Sequence, residues 1–342
     1  MDQTRDLTLA NALLQGLREP ALLCGPDGKI RLANDALAPL LPGAKPGSLL
    51  ALCLRSPDIL DAVQAVLKDA PRRAVRWHER VPVEQVFDIE LASVPVETIG
   101  RCVLLTFHDL TSAQRVEKMR EEFVANVSHE LRTPLASLLG FVETLQGPAR
   151  DDERARTQFL TIMGEQARRM SRLIDDLLSL SRIEQQEHLR PTAQVDLTGV
   201  VEQVCDALST IARANRVTLK RMAPAQCIIT GDRDELIRLT ENLIENAIKY
   251  GSLPDQDSMV EITLTQSQGQ TVLTVRDHGV GIAREHLPRL TERFYRANAG
   301  DSRAKGGTGL GLALVKHIAM RHRGRLEIAS TPGDGASFSV IF

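Results

Sequence analysis

The sequence predicts a multidomain α+β protein built from three successive parts. Short strand-like segments alternate with turns up to about residue 110. Two long segments with helical spacing of apolar residues extend from residue 112 to about residue 187, and strands alternate with helices again from about residue 192. This order predicts mixed α/β domains on either side of a two-helix hairpin. We place the three domains at residues 1–111, 112–190 and 191–342.

Five short apolar segments predict the strands of the first domain. The Pro26-Asp27-Gly28 turn joins the first two segments, as expected for a β-hairpin. The predicted strands are Leu22–Cys24, Lys29–Leu32, Val75–His78, Val86–Leu91 and Val103–His108. Strands mixed with short helices predict a small α+β domain.

Residues 112 to about 187 predict two long helices. Gly147-Pro148 ends the first helix, and the acidic residues 151–153 suit the start of the second, where the helix dipole favours negative charge. The apolar stripe of the first helix comprises Val116, Met119, Phe123, Val127, Leu131, Leu135, Leu138, Val142 and Leu145, and that of the second comprises Met170, Leu173, Leu177 and Leu180. A lone hairpin cannot bury both stripes, so the pattern predicts a homodimer that closes a four-helix bundle. Packing of the stripes against the flanking domains is the alternative.

The third domain combines strands with two amphipathic helices. The predicted helices are Glu235–Tyr250 and about Leu312–Arg321, and the predicted strands are Val217–Lys220, Cys227–Ile229, Val260–Thr265, Val272–Arg276, Arg325–Ala329 and Ser337–Phe342. A tight turn at 267–270 makes the third and fourth of these strands a hairpin.

Composition excludes several classes of protein. The net charge of −2 and the 11 aromatic residues (1 Trp, 2 Tyr, 8 Phe) argue against a nucleic-acid-binding protein, which would have a basic excess or a stacking surface. The longest uncharged stretch, Ile262–Val275, is 14 residues, too short for a membrane span, and the N-terminus has no signal-peptide pattern. Five scattered cysteines fit a reducing compartment. We therefore expect a cytoplasmic location, with any contact to the inner membrane made through partners.

The first cluster with chemical potential is Phe123–Pro134 in the first long helix. His129 lies about 200° round the helix from the stripe residue Val127 and should point into water, where a neutral imidazole can act as a nucleophile. Glu130 could hold one ring nitrogen in the NH form, and Thr133, one turn on, could position a water. Pro134 should kink the helix beside the histidine.

The second cluster lies on the helix 235–250. Asn242, Asn246 and Lys249 are spaced i, i+4 and i+7, so two carboxamides and an ammonium group share one face. Carboxamide oxygens suit Mg²⁺, and Lys249 suits a phosphate oxygen. A solvated polar face would have the same pattern.

Glycine-rich segments form the third cluster. Asp277 follows a strand and could accept a hydrogen bond from an exocyclic amine such as that of adenine, with Gly279 and Gly281 allowing close approach. The segment 306–311 opens a helix, whose free N–H groups could meet a triphosphate. Between these segments, the stretch from Leu290 to Lys305 contains Phe294, Tyr295 and several basic residues, among them Arg303, and would suit a mobile lid. A simple turn is the alternative for each glycine run.

Taken together, these segments resemble the sensor histidine kinases of two-component systems over roughly residues 112–342. Residues 123–134 are similar to the family's H-box, 242–250 to its N-box, 277–282 to its G1 box, 293–296 to its F-box and 306–311 to its G2 box. The resemblance implies a dimerisation and phosphotransfer hairpin followed by an α/β sandwich that binds ATP.

The resemblance also implies a role for each matching residue. His129 would be phosphorylated, Glu130 would be its acid–base partner, and Thr133 would serve a phosphatase activity. Asn246 would ligate Mg²⁺, and Asp277 would recognise adenine. The other implied ATP-binding residues are Asn242, Lys249, Tyr250, Gly279, Gly281, Ile282, Phe294, Arg296, Thr308, Gly309, Leu310 and Gly311. The implied partner is the receiver domain of a response regulator.

Residues 14–111 resemble a PAS sensor domain, through Asp27-Gly28 in the first hairpin, Asn34 after the second strand and Asp109-Leu110-Thr111 at the exit. The domain and its junction are most similar to the phosphate-regulon sensor kinases, which implies a role in phosphate-starvation signalling. Many of those kinases carry membrane helices ahead of the PAS domain, and we expect none in this chain.

Two alternatives to a histidine kinase are a hydrolytic ATPase of the same nucleotide fold and a non-catalytic signalling scaffold. A hydrolase of this fold places a glutamate one helical turn before the Mg²⁺-binding asparagine. Here that position is Asn242, which cannot act as a general base, and neither Glu241 nor Glu245 is expected on the face of Asn246. Because all the expected polar groups are present, the pattern favours the kinase over the scaffold.

Overall fold

The computed structural model describes residues 3–69, 72–79, 85–97, 99–252, 256–267, 269–297 and 307–342, with side chains from residue 8 onward. These residues divide into two compact units, Met1–Val124 and Ala125–Phe342. The helix bounds are α1 Gln3–Gln15, α2 Leu50–Cys53, α3 Pro57–Lys68, α4 Thr111–Gln146, α5 Glu153–Gln185, α6 Leu197–Ala214, α7 Arg233–Gly251 and α8 Gly311–Arg321. The strand bounds are β1 Ala21–Cys24, β2 Ile30–Ala33, β3 Arg72–Glu79, β4 Gln85–Val96, β5 Gly100–Asp109, β6 Gln194–Asp196, β7 Val217–Met222, β8 Ile228–Thr230, β9 Ser258–Ser267, β10 Gln270–Asp277, β11 Arg325–Ser330 and β12 Ala336–Ile341.

The N-terminal unit contains one five-stranded antiparallel sheet in the order β2-β1-β5-β4-β3. Its core lies between this sheet and α3, where Leu22, Ile59, Ile89 and Phe107 are buried together. Asn34, singled out in the sequence, is buried and tethers the turn after β2: its Oδ1 accepts from Ala21 N, and its Nδ2 donates to Glu19 O at 2.7 Å. The five predicted strands are confirmed.

Two long helices, α4 and α5, follow the N-terminal sheet. Helix α4 begins in the first unit and continues into the second, and α5 lies in the second unit. Asp152 caps α5 by accepting from Ala155 N at 3.0 Å, as its acidic start predicts. The rings of Phe141 and Phe159, 5.1 Å apart, pack the two helices together as a hairpin. Helix α4 is uninterrupted at Pro134. None of the helices within the described ranges is both long and apolar enough to cross a membrane.

The C-terminal domain is a layer of helices packed on a five-stranded sheet of order β11-β12-β10-β9-β7, in which only β7 and β9 are parallel. Helices α6, α7 and α8 pack on this sheet and on one another. Apolar residues of α7 such as Leu239, Leu243 and Ala247 are fully buried, so its polar residues face away from the sheet. The predicted α+β class is confirmed.

Some elements were not predicted from the sequence. Helix α6 is the largest of them, and its signal was present: Asp196 caps it by accepting from Thr198 N, and Val200, Val204, Leu208 and Ala212 form a buried stripe at helical spacing.

Part of the α5 stripe is already buried within a single chain. Leu173 and Leu180 are 3% and 1% exposed, and α5 contacts α8 of the C-terminal domain. The contact with α8 supports the alternative of packing against a flanking domain for part of α5, and the four-helix bundle stays a prediction. By contrast, Leu135 of α4 is 48% exposed, and Val142 is 36% exposed.

Candidate functional site

His129 lies near the middle of α4 with an exposed side chain, as its position opposite the apolar stripe predicts. It lines a cavity of about 490 Å³ together with Asn126, Glu130 and Thr133 of the same helix. Phe294, Tyr295 and Arg296, from the predicted lid, close the other side. The histidine therefore faces an open cleft between the hairpin and the C-terminal domain.

Glu130 is bound by two arginines. Its Oε2 accepts from Nη2 of Arg169 on α5 at 3.2 Å and from Nη2 of Arg296 at 3.2 Å. Through these bonds the carboxylate joins both hairpin helices to the C-terminal domain. Its expected role toward a ring nitrogen of His129 stays a prediction.

Thr133 lies one turn beyond His129 on the same side of α4. Its Oγ1 donates to the backbone oxygen of His129 at 3.1 Å, and its side chain is exposed. A hydroxyl in this position can rotate to donate toward the cavity, because the helix is held by its backbone hydrogen bonds without it.

A second cavity, of about 640 Å³, lies in the C-terminal domain. It is bounded by one side of α7, by the turn after β10 and by the start of α8. The sequence-predicted residues that line it are Asn242, Asn246, Lys249, Tyr250, Asp277, Gly281, Ile282, Arg296, Thr308, Gly309 and Gly311. The prediction that Asn242, Asn246 and Lys249 share a face is confirmed.

The start and the packing of α7 explain how this face is presented. Asp232 caps the helix by accepting from Asp234 N and Glu235 N. Asn242 Nδ2 donates to Arg238 O at 2.8 Å, and a Cβ on Gly311 would overlap Asn242 Oδ1. A larger residue at position 311 would therefore require the Asn242 carboxamide to move.

The glutamates of α7 also line this cavity, contrary to expectation. Both Glu241 and Glu245 are on its wall, because the cavity covers about half the circumference of the helix. Burial raises the pKa of Glu241, and the charge of Glu245 adds to that effect. Glu245 Oε2 accepts from Lys249 Nζ at 2.6 Å, so the cation expected to meet a phosphate is held by a neighbouring carboxylate.

Asp277 is buried at the end of β10. Its Oδ1 accepts from Gly279 N at 2.9 Å and from Ala336 N at 3.3 Å, and among the described residues Oδ2 is the oxygen left for a ligand. Burial raises the pKa of Asp277, and the two backbone hydrogen bonds oppose this rise. A Cβ on Gly279 would overlap Tyr250 O, so glycine is needed for close packing there.

The two ends of the predicted lid are joined by backbone contacts. Phe294 N donates to Gly309 O at 2.8 Å, and Arg296 Nη2 donates to Gly307 O at 2.5 Å. Phe294 and Gly309 both have left-handed backbones, with φ of 63° and 74°. The segment between these ends, residues 298–306, includes the predicted Arg303, Lys305 and Gly306 and lies outside the described residues.

Three of the predicted ATP-binding residues do not line the larger cavity. Gly279 N donates a hydrogen bond to Asp277 Oδ1, and Phe294 lines the cavity of His129. Leu310 is fully buried in the core of the domain, because it anchors the start of α8. These three residues would therefore affect a ligand in the larger cavity only by positioning residues that line it.

The hairpin contributes residues that the sequence did not single out. Arg172, Asp175 and Asp176 of α5 also line the larger cavity, and Asp176 Oδ2 accepts from Thr308 Oγ1 at 3.0 Å. Burial raises the pKa of Asp176, and the hydrogen bond from Thr308 opposes this rise. Arg169, Arg172 and Asp176 are spaced i, i+3 and i+7, but charged residues at this spacing are typical of a solvated helix face.

Further contacts hold the end of α5 on the C-terminal domain. Glu184 Oε1 accepts from Arg293 Nη2 at 2.5 Å and lies 3.4 Å from His317 Nε2. Arg321 Nε donates to Leu189 O at 3.0 Å in the chain after α5 and pairs with Glu235 of α7. The hairpin and the C-terminal domain are therefore joined at both cavities and at the end of α5.

Comparison with known families assigns both domains of this unit. Residues 231–342 match the family described as "Histidine kinase-, DNA gyrase B-, and HSP90-like ATPase". Residues 119–186 match the "His Kinase A (phospho-acceptor) domain". The fold and site thus define a protein with a histidine phospho-acceptor hairpin followed by an ATP-binding domain of the ATPase type.

Individual proteins give the same assignment. The phosphate regulon sensor protein PhoR of Pseudomonas aeruginosa is 41% identical over 242 residues, which are 70% of this chain and 53% of PhoR. The sensor protein kinase WalK of Staphylococcus aureus is 36% identical over 240 residues, 69% of this chain and 57% of WalK. The chain thus spans somewhat more than half the length of these two relatives. It carries the phospho-acceptor and ATP-binding domains found in histidine kinases, and over these domains it is similar to the sensor kinases PhoR and WalK.

A solved structure shares the fold. The structure of histidine kinase ThkA in complex with the response regulator protein TrrA aligns with a TM-score of 0.51 at 18% identity, covering 97% of each chain. At this identity the match concerns the arrangement of the chain alone.

Proposed function

We propose that this chain phosphorylates His129 from MgATP and passes the phosphoryl group to an aspartate of a response regulator. The observation that carries the proposal is the wall shared by the two cavities. Tyr295 and Arg296 line both the cavity of His129 and the larger cavity of the ATP-binding domain. A nucleotide in the larger cavity would therefore lie next to the wall that this cavity shares with the cavity of His129.

The residues of the larger cavity fit ATP and a magnesium ion. Asp277 offers Oδ2 to the exocyclic amine of adenine, while Oδ1 is held by backbone donors. Asn246 offers a carboxamide oxygen to Mg²⁺, and Asn242 with Lys249 would bind the phosphates once the ammonium group leaves Glu245. Mg²⁺, when bound, neutralises charge on the phosphates.

His129 supplies the nucleophile. A ring nitrogen attacks the γ-phosphorus, the N–P bond forms, and the bond from that phosphorus to the bridging oxygen breaks, so that ADP leaves with the electron pair. The proton on the other ring nitrogen is released to Glu130 or water. Apart from the attack by His129, phosphoryl transfer requires mainly alignment and charge neutralisation, so we expect catalysis to depend on positioning, in which Arg296 holds Glu130.

Three further assignments belong to the same proposal. Exposed apolar residues on α4, such as Leu135, Leu139 and Val142, support a homodimer that covers them. The sheet order of the N-terminal unit supports a PAS-like sensor domain. The likeness to PhoR supports an input related to phosphate starvation.

We also propose that the chain dephosphorylates its regulator, with Thr133 orienting the attacking water. Thr133→Ala should leave autophosphorylation unchanged and slow the loss of phosphate from a phosphorylated regulator by about tenfold or more. If autophosphorylation and dephosphorylation fall together, Thr133 does not have this separate role.

Incubation of the full chain with γ-labelled ATP and Mg²⁺ tests the kinase proposal. We expect label that is labile in acid and stable in base, absent from His129→Gln and retained in the control His188→Gln, whose side chain is exposed outside both cavities. Release of phosphate without labelled protein would favour ATP hydrolysis, for which Glu241 on the cavity wall is a candidate base. Neither label nor phosphate would favour a scaffold.

A further inference from the structure

The larger cavity already contains an anionic group of the protein. Asp176 projects from α5 of the hairpin into a cavity otherwise formed largely by the ATP-binding domain. Its Oδ2 accepts the Thr308 hydroxyl hydrogen at 3.0 Å, across 132 residues of sequence. This bond is a direct link between the phospho-acceptor hairpin and the glycine-rich segment of the cavity.

The place that Asp176 occupies is suited to a more highly charged ligand. Thr308 lies just before α8, whose first turn has no side-chain cap and whose Gly311 and Leu312 line the cavity. Uncapped N–H groups at a helix start favour an anion. The carboxamides of Asn242 and Asn246 line the same cavity, and Asn242 lies next to the start of α8.

The charges around Asp176 also fit an anion. Arg238 and Lys249 act on it as positive charges, and Glu245 acts on it as a negative one. Lys249 is paired with Glu245, and Arg238 Nη1 donates to the backbone oxygen of Asp175 at 3.2 Å. Lys249 and Arg238, two of the cations that line the cavity, are thus already bound by groups of the protein.

We infer that Asp176 competes with the phosphate groups of ATP. Binding of the triphosphate and the hydrogen bond between Asp176 and Thr308 therefore oppose each other. This inference rests on the proposed function, because it assigns the larger cavity to ATP. Its consequence is reciprocal: a bound triphosphate displaces Asp176 and loosens α5, and a seated hairpin lowers the affinity for ATP. Because adenosine lacks phosphates, its affinity for the cavity should not depend on the charge of Asp176.

Asp176→Asn separates charge from shape. The carboxamide has nearly the same volume and its oxygen can still accept from Thr308, so only the negative charge is lost. The matched control is Glu165→Gln, which removes an exposed negative charge from the same helix outside both cavities. Binding of ATP and of adenosine to the full chain is measured by calorimetry, at low and at high salt.

We expect Asp176→Asn to bind ATP about fivefold more tightly at low salt, with a smaller gain near 1 M salt, where the Debye length is about 3 Å. Adenosine affinity should not change, and Glu165→Gln should match the parent chain. Unchanged or weaker ATP binding by Asp176→Asn would overturn the inference. So would an equal gain for adenosine.

Failure of the proposed function has a different result. If neither the parent chain nor Asp176→Asn binds ATP, the larger cavity is not an ATP site and both proposals fail. If the parent chain binds ATP and Asp176→Asn binds it no more tightly, only the inference about Asp176 fails.

Discussion

Arg296 Nη2 donates to Glu130 Oε2 at 3.2 Å, and the same nitrogen donates to Gly307 O at 2.5 Å. One guanidinium therefore joins the residue next to His129 to the glycine-rich segment of the ATP-binding domain. Its side chain is only 8% exposed, and its Nε is buried without a partner in the part of the chain that is described. Arg296 lines both cavities and links them, a role that its sequence motif does not indicate.

Arg296→Lys should slow autophosphorylation by about tenfold or more. Lysine keeps the positive charge, but its ammonium group on a flexible stem does not reproduce the rigid, planar guanidinium that holds Nη2 between Glu130 Oε2 and Gly307 O. The rate of label incorporation from γ-labelled ATP measures the effect. Arg289→Lys is the control, because Arg289 is exposed and, among the residues that the structure describes, its side chain pairs with Glu292 and lies over the ring of Tyr295. Equal rates in both variants would contradict the positioning role of Arg296.

Gly309→Ala should destabilise the C-terminal domain more than Gly333→Ala. Both glycines have left-handed backbones, with φ of 74° and 87°, so each substitution costs about 1 kcal/mol in backbone strain. A Cβ at position 309 would also lie 2.9 Å from Phe294 Cα, whereas nothing lies within 4 Å at position 333. This overlap should bring the total cost for Gly309→Ala to about 3 kcal/mol. Urea unfolding measures the difference, and equal costs would show that the approach of Phe294 is unimportant.

The stability of the C-terminal domain should fall as pH is lowered below 6.5, because of His322. This ring is fully buried: Nε2 accepts from Asp232 N at 3.0 Å, and Nδ1 lies 2.8 Å from Ile318 O, so the neutral ring with its proton on Nδ1 satisfies both contacts. Burial lowers the pKa of His322 below its usual 6.5. Between the lowered pKa and 6.5 the unfolded state binds more protons, so stability declines by up to about 1.4 kcal/mol per pH unit.

Urea unfolding of the parent chain and His322→Gln between pH 7.5 and 5.5 measures this decline. The variant should lose most of the pH dependence even if its overall stability is lower. His188→Gln, which alters an exposed histidine, should retain the slope of the parent. A parent slope that survives in His322→Gln would assign the effect to other groups.

The helices and strands were largely predictable, because apolar spacing and turn residues determine them locally. The Asn242, Asn246 and Lys249 face follows from helical geometry alone, and Asp277 follows from its position at the end of a strand. Asp176 and Arg169 could not be found in this way. Each is a charged residue on a helix that would be solvated in an isolated hairpin, and only contact with Thr308 or Glu130 makes it part of a site.

Leu310 is the opposite case, a residue that the sequence motif predicted to be in the site and that the structure places in the core. Its place among the glycines made it a candidate ligand-binding residue, yet it is fully buried. A motif assigns a segment to a site, but the packing of the first turn of α8 decides which of its side chains reach the cavity. Glu241 and Glu245 reach the larger cavity for a similar reason, since its wall covers more of α7 than a single face.

Locating the phosphoryl group by mass spectrometry tests the central claim most directly. Cleavage after Arg120 and Arg132 gives the peptide 121–132, in which Ser128 and His129 lie next to each other. After incubation of the full chain with ATP and Mg²⁺ and handling at alkaline pH, the account predicts one phosphoryl group in this peptide, on His129. A phosphoryl group on Ser128, or on a peptide elsewhere in the chain while 121–132 remains unmodified, would contradict it.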